Sequence, residues 1–196
     1  MKGTELKQKI ITTAQITNQK WLNLFKVTYK NSKGKLCNWV FVSRKKSPYK
    51  DSKPDAVVLV ATVNTPEGKK LVVTKEYRAS INDYEYGFPA GLIDPGMTVD
   101  ETVKKELKEE TGLDLVSIGD KSNQVFSSAG LSEESVIIVF VEAAGEISVD
   151  YQEEIEDIET FLYDIDDIRK LLVSDKKVGA KAWGILYHYS KIGRIE

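Results

Sequence analysis

Apolar residues along this chain fall into short β-prone runs in most places and into a four-residue repeat in one. Trp21–Tyr29 and Leu36–Val42 are rich in aromatic and β-branched residues and flank the turn-forming Asn31-Ser32-Lys33-Gly34, which predicts a hairpin or small meander. A lone hairpin is marginal in water, so this unit needs a packing partner, either the rest of the chain or a second copy. Lys45–Pro54 is polar with two prolines and reads as a linker. Ala56–Asn64 and Lys70–Tyr77, joined by Thr65-Pro66-Glu67-Gly68, are apolar enough for strands of a buried sheet. A Gly- and Pro-rich loop, residues 87–96, leads into a helix in which Val99, Val103 and Leu107 recur every four residues. Thr98 and Glu101 form a capping-box pattern at its start, and Gly112 stops it. Strands are expected near 113–118, 123–127, 134–143 and 158–163, and helices near 165–173 and 179–191. The fold class is α+β: a mixed sheet flanked by helices, at 53–196, with a small N-terminal antiparallel β unit at 1–52.

Composition narrows the function classes. At 196 residues the chain can bury one substantial core with a small addition. A net charge of −2 gives no global field towards nucleic acid or anionic lipid, so neither is an expected partner. Cys37 is the only cysteine, which fits a reducing compartment, and Met1–Ile10 lacks the apolar run of a secretory signal. The longest apolar stretches, Ala56–Val63 and Val136–Val141, are too short to span a bilayer. The expected location is cytoplasmic.

The helix preceded by glycines carries the candidate chemistry. Glu106 and Glu110 lie four apart and share one face, while Val103 and Leu107 point to the core. Like charges at that spacing repel by a few tenths of a kcal/mol unless something positive sits between them. A hard divalent cation reverses the sign, and Mg²⁺ takes a few carboxylates plus substrate phosphate oxygens. Taken alone, the helix favours the reading of a charge-rich surface helix; the glycines before it change the balance, because they let backbone approach metal and phosphate.

Gly91-x5-Met97-x7-Lys105-Glu106-Leu107-x-Glu109-Glu110-x-Gly112-Leu113 resembles the Nudix box, G-x5-E-x7-R-E-U-x-E-E-x-G-U with U aliphatic. The spacing matches throughout, and a match of that length is far more specific than a short glycine motif. Two positions depart: Met97 stands where Glu is usual and Lys105 where Arg is usual, residues that in the family pair to brace the loop. The resemblance implies an α/β/α sandwich, Mg²⁺ (with Mn²⁺ as a substitute) on Glu106 and Glu110, and Glu109 among the catalytic carboxylates.

Phe88-Pro89-Ala90-Gly91-Leu92-Ile93-Asp94 and Lys75-Glu76-Tyr77-Arg78 are similar to the ADP-ribose pyrophosphatase branch, although Gly87 stands where those enzymes usually carry Glu. That similarity implies a metal-ligating carbonyl at Ala90 and substrate contacts at Leu92 and Gly130, the latter in Ala129-Gly130-Leu131-Ser132-Glu133-Glu134, which resembles the family's S-P-G-x-S-x-E loop. Trp21, Trp39 and Arg44 match the extra N-terminal sheet of animal ADP-sugar pyrophosphatases, implying a homodimer through that sheet and an adenine between the two indoles. Without the resemblance, both tryptophans read as core of a small sheet. Arginine is scarce here: Arg44, Arg78, Arg169 and Arg194 are the only four among 28 basic residues. An arginine kept at a strand end suits bidentate binding of phosphate, and Arg44 and Arg78 are the candidates, chance surface arginines being the alternative.

Asp150–Asp167 is strongly acidic and mostly reads as solvated. Similar enzymes take a further metal ligand or water-activating Glu from this loop; Glu156 aligns best and Glu154 next. His188 reads as a packed or surface residue. The expected reaction is Mg²⁺-dependent hydrolysis of ADP-ribose, or a related ADP-sugar, to AMP and ribose 5-phosphate. Two alternatives stay open: a Nudix pyrophosphatase for another nucleotide sugar or a dinucleotide, and a catalytically weak nucleotide-sensing domain.

Overall fold

The computed structural model describes residues 9–50, 52–154 and 156–195. The chain divides into two compact units, Met1–Lys53 with Phe126–Glu134, and Pro54–Val125 with Ser135–Glu196.

In the first unit β1 (Ile10–Gln15), β2 (Asn23–Lys30) and β3 (Leu36–Ser43) form an antiparallel sheet in that order. The β2–β3 turn closes through Asn31, whose side-chain oxygen accepts from the backbone of Lys33 and Lys35 at 2.9 and 3.0 Å, while Gly34 takes a φ of 76°. Strand alternation buries one face, where Phe25, Val27 and Phe41 form the core and the Phe25 and Phe41 rings stack at 5.8 Å. The return segment lies alongside β3: Val42 donates to the Leu131 carbonyl at 2.8 Å and bridges Ser132 in parallel. The first strand was not predicted, because Ile10–Gln15 buries no face and so shows no apolar alternation.

From Ala56 onward the chain forms β4 (Ala56–Thr65), β5 (Gly68–Arg78), β6 (Asp83–Gly87), β7 (Ala90–Leu92), α1 (Val99–Thr111), β8 (Asp114–Lys121), β9 (Val125–Phe126), β10 (Ser135–Ala144), β11 (Ile158–Tyr163), α2 (Ile165–Val173), β12 (Lys177–Val178) and α3 (Ala180–Ile192), all of them in the second unit except Phe126 at the end of β9. The sheet runs β12-β6-β5-β4-β10-β8, with β11 on β5 and β7 on β4. At its centre β4 and β10 pair in parallel from Ala56↔Val136 to Val63↔Ala143. Both faces of β4 are covered, which is why its sequence is continuously apolar. Val57, Leu59, Ala61 and Val63 pack with Val103 and Leu107 of α1. Val58 and Val60 join Ile168 and Leu171 of α2 and Leu186 of α3 on the other side. Helices on both sides of a mixed sheet make an α/β/α sandwich, as expected from the sequence. β6, β7 and β12 are additions, two of them inside or beside the segment read as loop.

The placement of α1 follows from its ends. Thr98 accepts from the Glu101 backbone at 3.3 Å and donates its own N–H to the Glu101 carboxylate at 2.8 Å, completing the capping box. Gly112 ends the helix at φ 75°, and a Cβ there would lie 2.5 Å from the Ser148 backbone nitrogen. No other residue meets both demands.

Candidate metal and phosphate site

α1 turns Val103 and Leu107 fully inward, and the neighbouring stripe brings Glu106 and Glu110 to 7% and 5% exposure. Two carboxylates this buried on one face are unlike those of a solvated surface helix. β7 lies over them. The Ala90 N–H donates to Glu110 Oε2 at 3.0 Å. A Cβ at Gly91 would come within 2.0 Å of the Glu106 carboxyl carbon, so glycine is what allows the loop backbone to rest on that side chain. The far end of α1 is tied down as well: the Glu110 carbonyl accepts from Gln152 Nε2 at 3.2 Å and Thr160 Oγ1 at 3.1 Å.

Burial dominates the electrostatics. Desolvation pushes Glu106 up to about 7, partly offset by Lys105. Desolvation raises Glu110 to about 9, against the Ala90 hydrogen bond and with Glu106, Glu76 and Glu156 adding repulsion. Glu76 on β5 is itself raised, chiefly by burial. Glu106, Glu110, Glu76 and Glu156 therefore crowd one negative field. A divalent cation relieves such a field. Among the described residues no three acidic, histidine or cysteine side chains converge into a ready-made cage. Two buried carboxylates beneath a backbone-lined turn fit Mg²⁺, which keeps most of its shell for water and phosphate oxygens.

The other predicted residues are distributed as follows. Glu109 is partly exposed and pairs with Lys105 at 3.5 Å. Glu156 is half-buried, accepts from the Glu153 backbone at 3.0 Å, and its charge reaches Glu106 and Glu110; Glu154 is exposed. Arg78 pairs with Glu76 at 2.5 Å and with Glu85 at 3.4 Å, so its guanidinium stands beside the acidic group. Leu92, at the end of β7, is exposed. In the N-terminal unit Arg44 pairs with Glu134 at 3.3 Å. Trp21 and Trp39 are 71% and 51% exposed, which excludes the core reading of these two rings. Trp39 donates its indole N–H to the Gly130 carbonyl at 3.2 Å, and Lys20 stands over the Trp21 ring at 4.3 Å.

Three participants escaped the sequence reading. Glu76 lies in the quoted Lys75–Arg78 segment but was given no role, and Gln152 gave no signal in isolation. Asp94 did: it lies in the quoted loop, and Lys105 reaches it at 3.1 Å. The motif directs attention to position 97 instead. A cavity of about 360 Å³ on the opposite face of the sheet is lined by Val60, Thr62, Lys69, Phe140 and Glu142; Lys69 and Glu142 neutralise one another there at 2.9 Å. No helix of the described residues is long and apolar enough to cross a membrane.

Comparison with known proteins agrees with this geometry. The chain is similar to putative nudix hydrolase 2 of Caenorhabditis elegans, 32% identical over 131 residues covering 67% of this chain and 58% of that protein. It is similar to ADP-ribose pyrophosphatase of Saccharomyces cerevisiae, 30% identical over 147 residues covering 72% of this chain and 62% of that one. The chain thus spans roughly three-fifths of the length of each of these two relatives. A crystal structure of an ADP compounds hydrolase superposes with a TM-score of 0.69 at 18% identity, covering 98% of this chain and all of that one, a likeness of fold. The NUDIX domain profile matches residues 53–182, two thirds of the chain and all of the Gly91–Leu113 motif, and the chain therefore belongs to the Nudix family.

Proposed function

We propose that this protein hydrolyses the diphosphate bond of ADP-ribose or a related ADP-sugar, yielding AMP and ribose 5-phosphate in the case of ADP-ribose. One observation carries the reading: Glu106 and Glu110 are buried side by side beneath a turn that only glycine permits. The yeast relative's activity, ADP-ribose pyrophosphatase, supports the choice of substrate.

Glu106, Glu110 and Glu156, with the Ala90 carbonyl, would hold Mg²⁺, and Mn²⁺ can replace it. The chemistry such an ion would supply there is charge neutralisation of the diphosphate and a lowered pKa for the attacking water. Glu156 takes the proton from that water; it comes from a loop and carries a charge felt by both buried carboxylates, which suits a base that closes on substrate. Glu109 holds Lys105 beside the site, and Glu154 is the second candidate for the base. Arg78 and Arg44 exchange carboxylate partners for phosphate oxygens, to which their planar forks donate equally well. As water adds to one phosphorus, the P–O–P bond breaks and the released phosphate leaves as AMP or as the sugar phosphate.

The division of labour assigns residues 53–196 to hydrolysis and residues 1–52 to adenine stacking and dimerisation. Exposed Trp21 and Trp39 offer aromatic faces worth about 1–3 kcal/mol per stacked base. Gly130 and Leu92 contact the sugar end. Leu24, Leu36 and Val40 leave apolar side chains of the same sheet uncovered, and a second copy of the chain is the proposed cover.

Glu110→Gln tests the assignment. AMP release from ADP-ribose with Mg²⁺ should fall at least about a thousandfold while circular dichroism stays unchanged, and near-normal turnover would refute the metal centre. Parallel assays with GDP- and UDP-sugars and dinucleotides separate the alternative substrates. Nucleotide binding without any metal-dependent AMP release would identify a sensing domain.

A further inference from the structure

The loop over Glu106 needs an anchor, and the usual one is missing. The family brace joins positions 97 and 105, but Met97 carries no charge. Lys105 instead directs its ammonium to Asp94 Oδ2 at 3.1 Å, and lies farther, at 3.6 and 3.5 Å, from Glu106 Oε1 and Glu109 Oε2. Asp94 is fixed in turn: its carbonyl accepts from the Met97 N–H at 3.0 Å, and its neighbour Ile93 donates to the Asp55 carbonyl at 3.0 Å. Three residues before it, Gly91 rests directly on the Glu106 carboxylate. A bond from α1 to Asp94 thus clamps the turn onto the metal-facing side chain.

We propose that Asp94 and Lys105 are the positioning pair of the metal centre, Asp94 taking over the role left empty at Met97. The pair holds the β7–α1 loop over Glu106 and sets the ammonium nearer to Asp94 than to Glu106 and Glu109, which it meets at 3.6 and 3.5 Å. Without Asp94, Lys105 keeps only Glu106 and Glu109 as partners and competes with the cation for them. The inference rests on the metal centre described under the proposed function.

The pair is one third to one half exposed, so its contribution to global stability is small and the melting temperature should move little when it is broken. Metal binding should move more. Mn²⁺ titrations of the metal-free protein, followed by electron paramagnetic resonance without substrate, are expected to weaken about tenfold in Asp94→Asn. Lys105→Met should weaken binding by a similar factor, and the double variant should be no weaker than the poorer single one. Asp94→Glu, which keeps the charge, should bind within about twofold of wild type. Adding Met97→Glu to Asp94→Asn should recover binding by re-forming the pair from position 97. Wild-type affinity in Asp94→Asn, losses that multiply in the double variant, or a melting temperature that collapses with Asp94→Asn would each overturn the pair. Wild-type protein that binds no Mn²⁺ overturns the metal centre and the pair together. Wild-type protein that binds Mn²⁺ but leaves ADP-ribose intact overturns only the substrate reading.

Discussion

Helices α1 and α2 look alike on paper and behave differently in the fold. Both begin with a capping box, Thr98 with Glu101 and Asp164 with Asp167, and both carry acidic residues in the first turn. Along α2 the charges stay at the surface in i,i+3 pairs, Asp166 with Arg169 at 3.0 Å and Asp167 with Lys170 at 3.4 Å. Along α1 two carboxylates are carried inward with no close cation, apart from Lys105 at 3.6 Å from Glu106. Acidic character is common to both helices; burial of carboxylates sets α1 apart and supports the metal site proposed there.

The sharpest way to break this contrast is to move the turn off α1. Gly91→Ala drives a methyl group into the Glu106 carboxylate, so ADP-ribose hydrolysis should fall about a hundredfold or more, measured as AMP released per minute. A smaller effect should appear in the stability of the metal-free protein. Glu106 and Glu110 have folded-state pKa values raised to about 7 and about 9, so the stability tied to their protonation is complete below about pH 4.5 and is lost as pH climbs through those values. Melting temperatures should therefore fall by several degrees between pH 5 and pH 9 in wild type and much less in Glu110→Gln, and Mg²⁺ should restore the loss. In α2 the sign reverses: hydrogen bonds from the Asp167 and Asp166 backbones hold Asp164 below the usual carboxylate range, so its contribution is present at neutral pH and lost in acid. The smallest effect belongs there. Asp164→Ala should lower the melting temperature by only a few degrees and leave turnover untouched; a large drop in activity would erase the distinction between the two helices.

How much was readable in advance tracks how local each signal is. α1 announced itself through Thr98, Glu101, the Val99-Val103-Leu107 spacing and Gly112, all within one turn-by-turn pattern. β4 and β10 were legible because both faces are buried and the apolar runs are unbroken. β1 left no trace, since its side chains pack on almost nothing, and β6 was hidden by the charged and polar positions of Asp83–Gly87. Within the site, Glu106 and Glu110 were legible from spacing and the resemblance. The Trp39–Gly130 hydrogen bond joins residues 91 apart in the chain, and the Asp94–Lys105 bond replaces a pairing the motif assigns elsewhere. Contacts of that kind depend on where the backbone brings distant segments, which no periodicity encodes.

The parallel ladder between β4 and β10 also constrains how the protein is made. Its partners, such as Ala56 and Val136, are separated by the whole of α1 and five other strands, so the central seam cannot close until the chain has been extended past residue 144. During synthesis one edge of β4 waits for β10, with only β5, β7 and α1 available to cover its apolar side chains. Such a long-range closure makes folding slow and leaves a nascent or refolding chain open to association with other chains until β10 arrives.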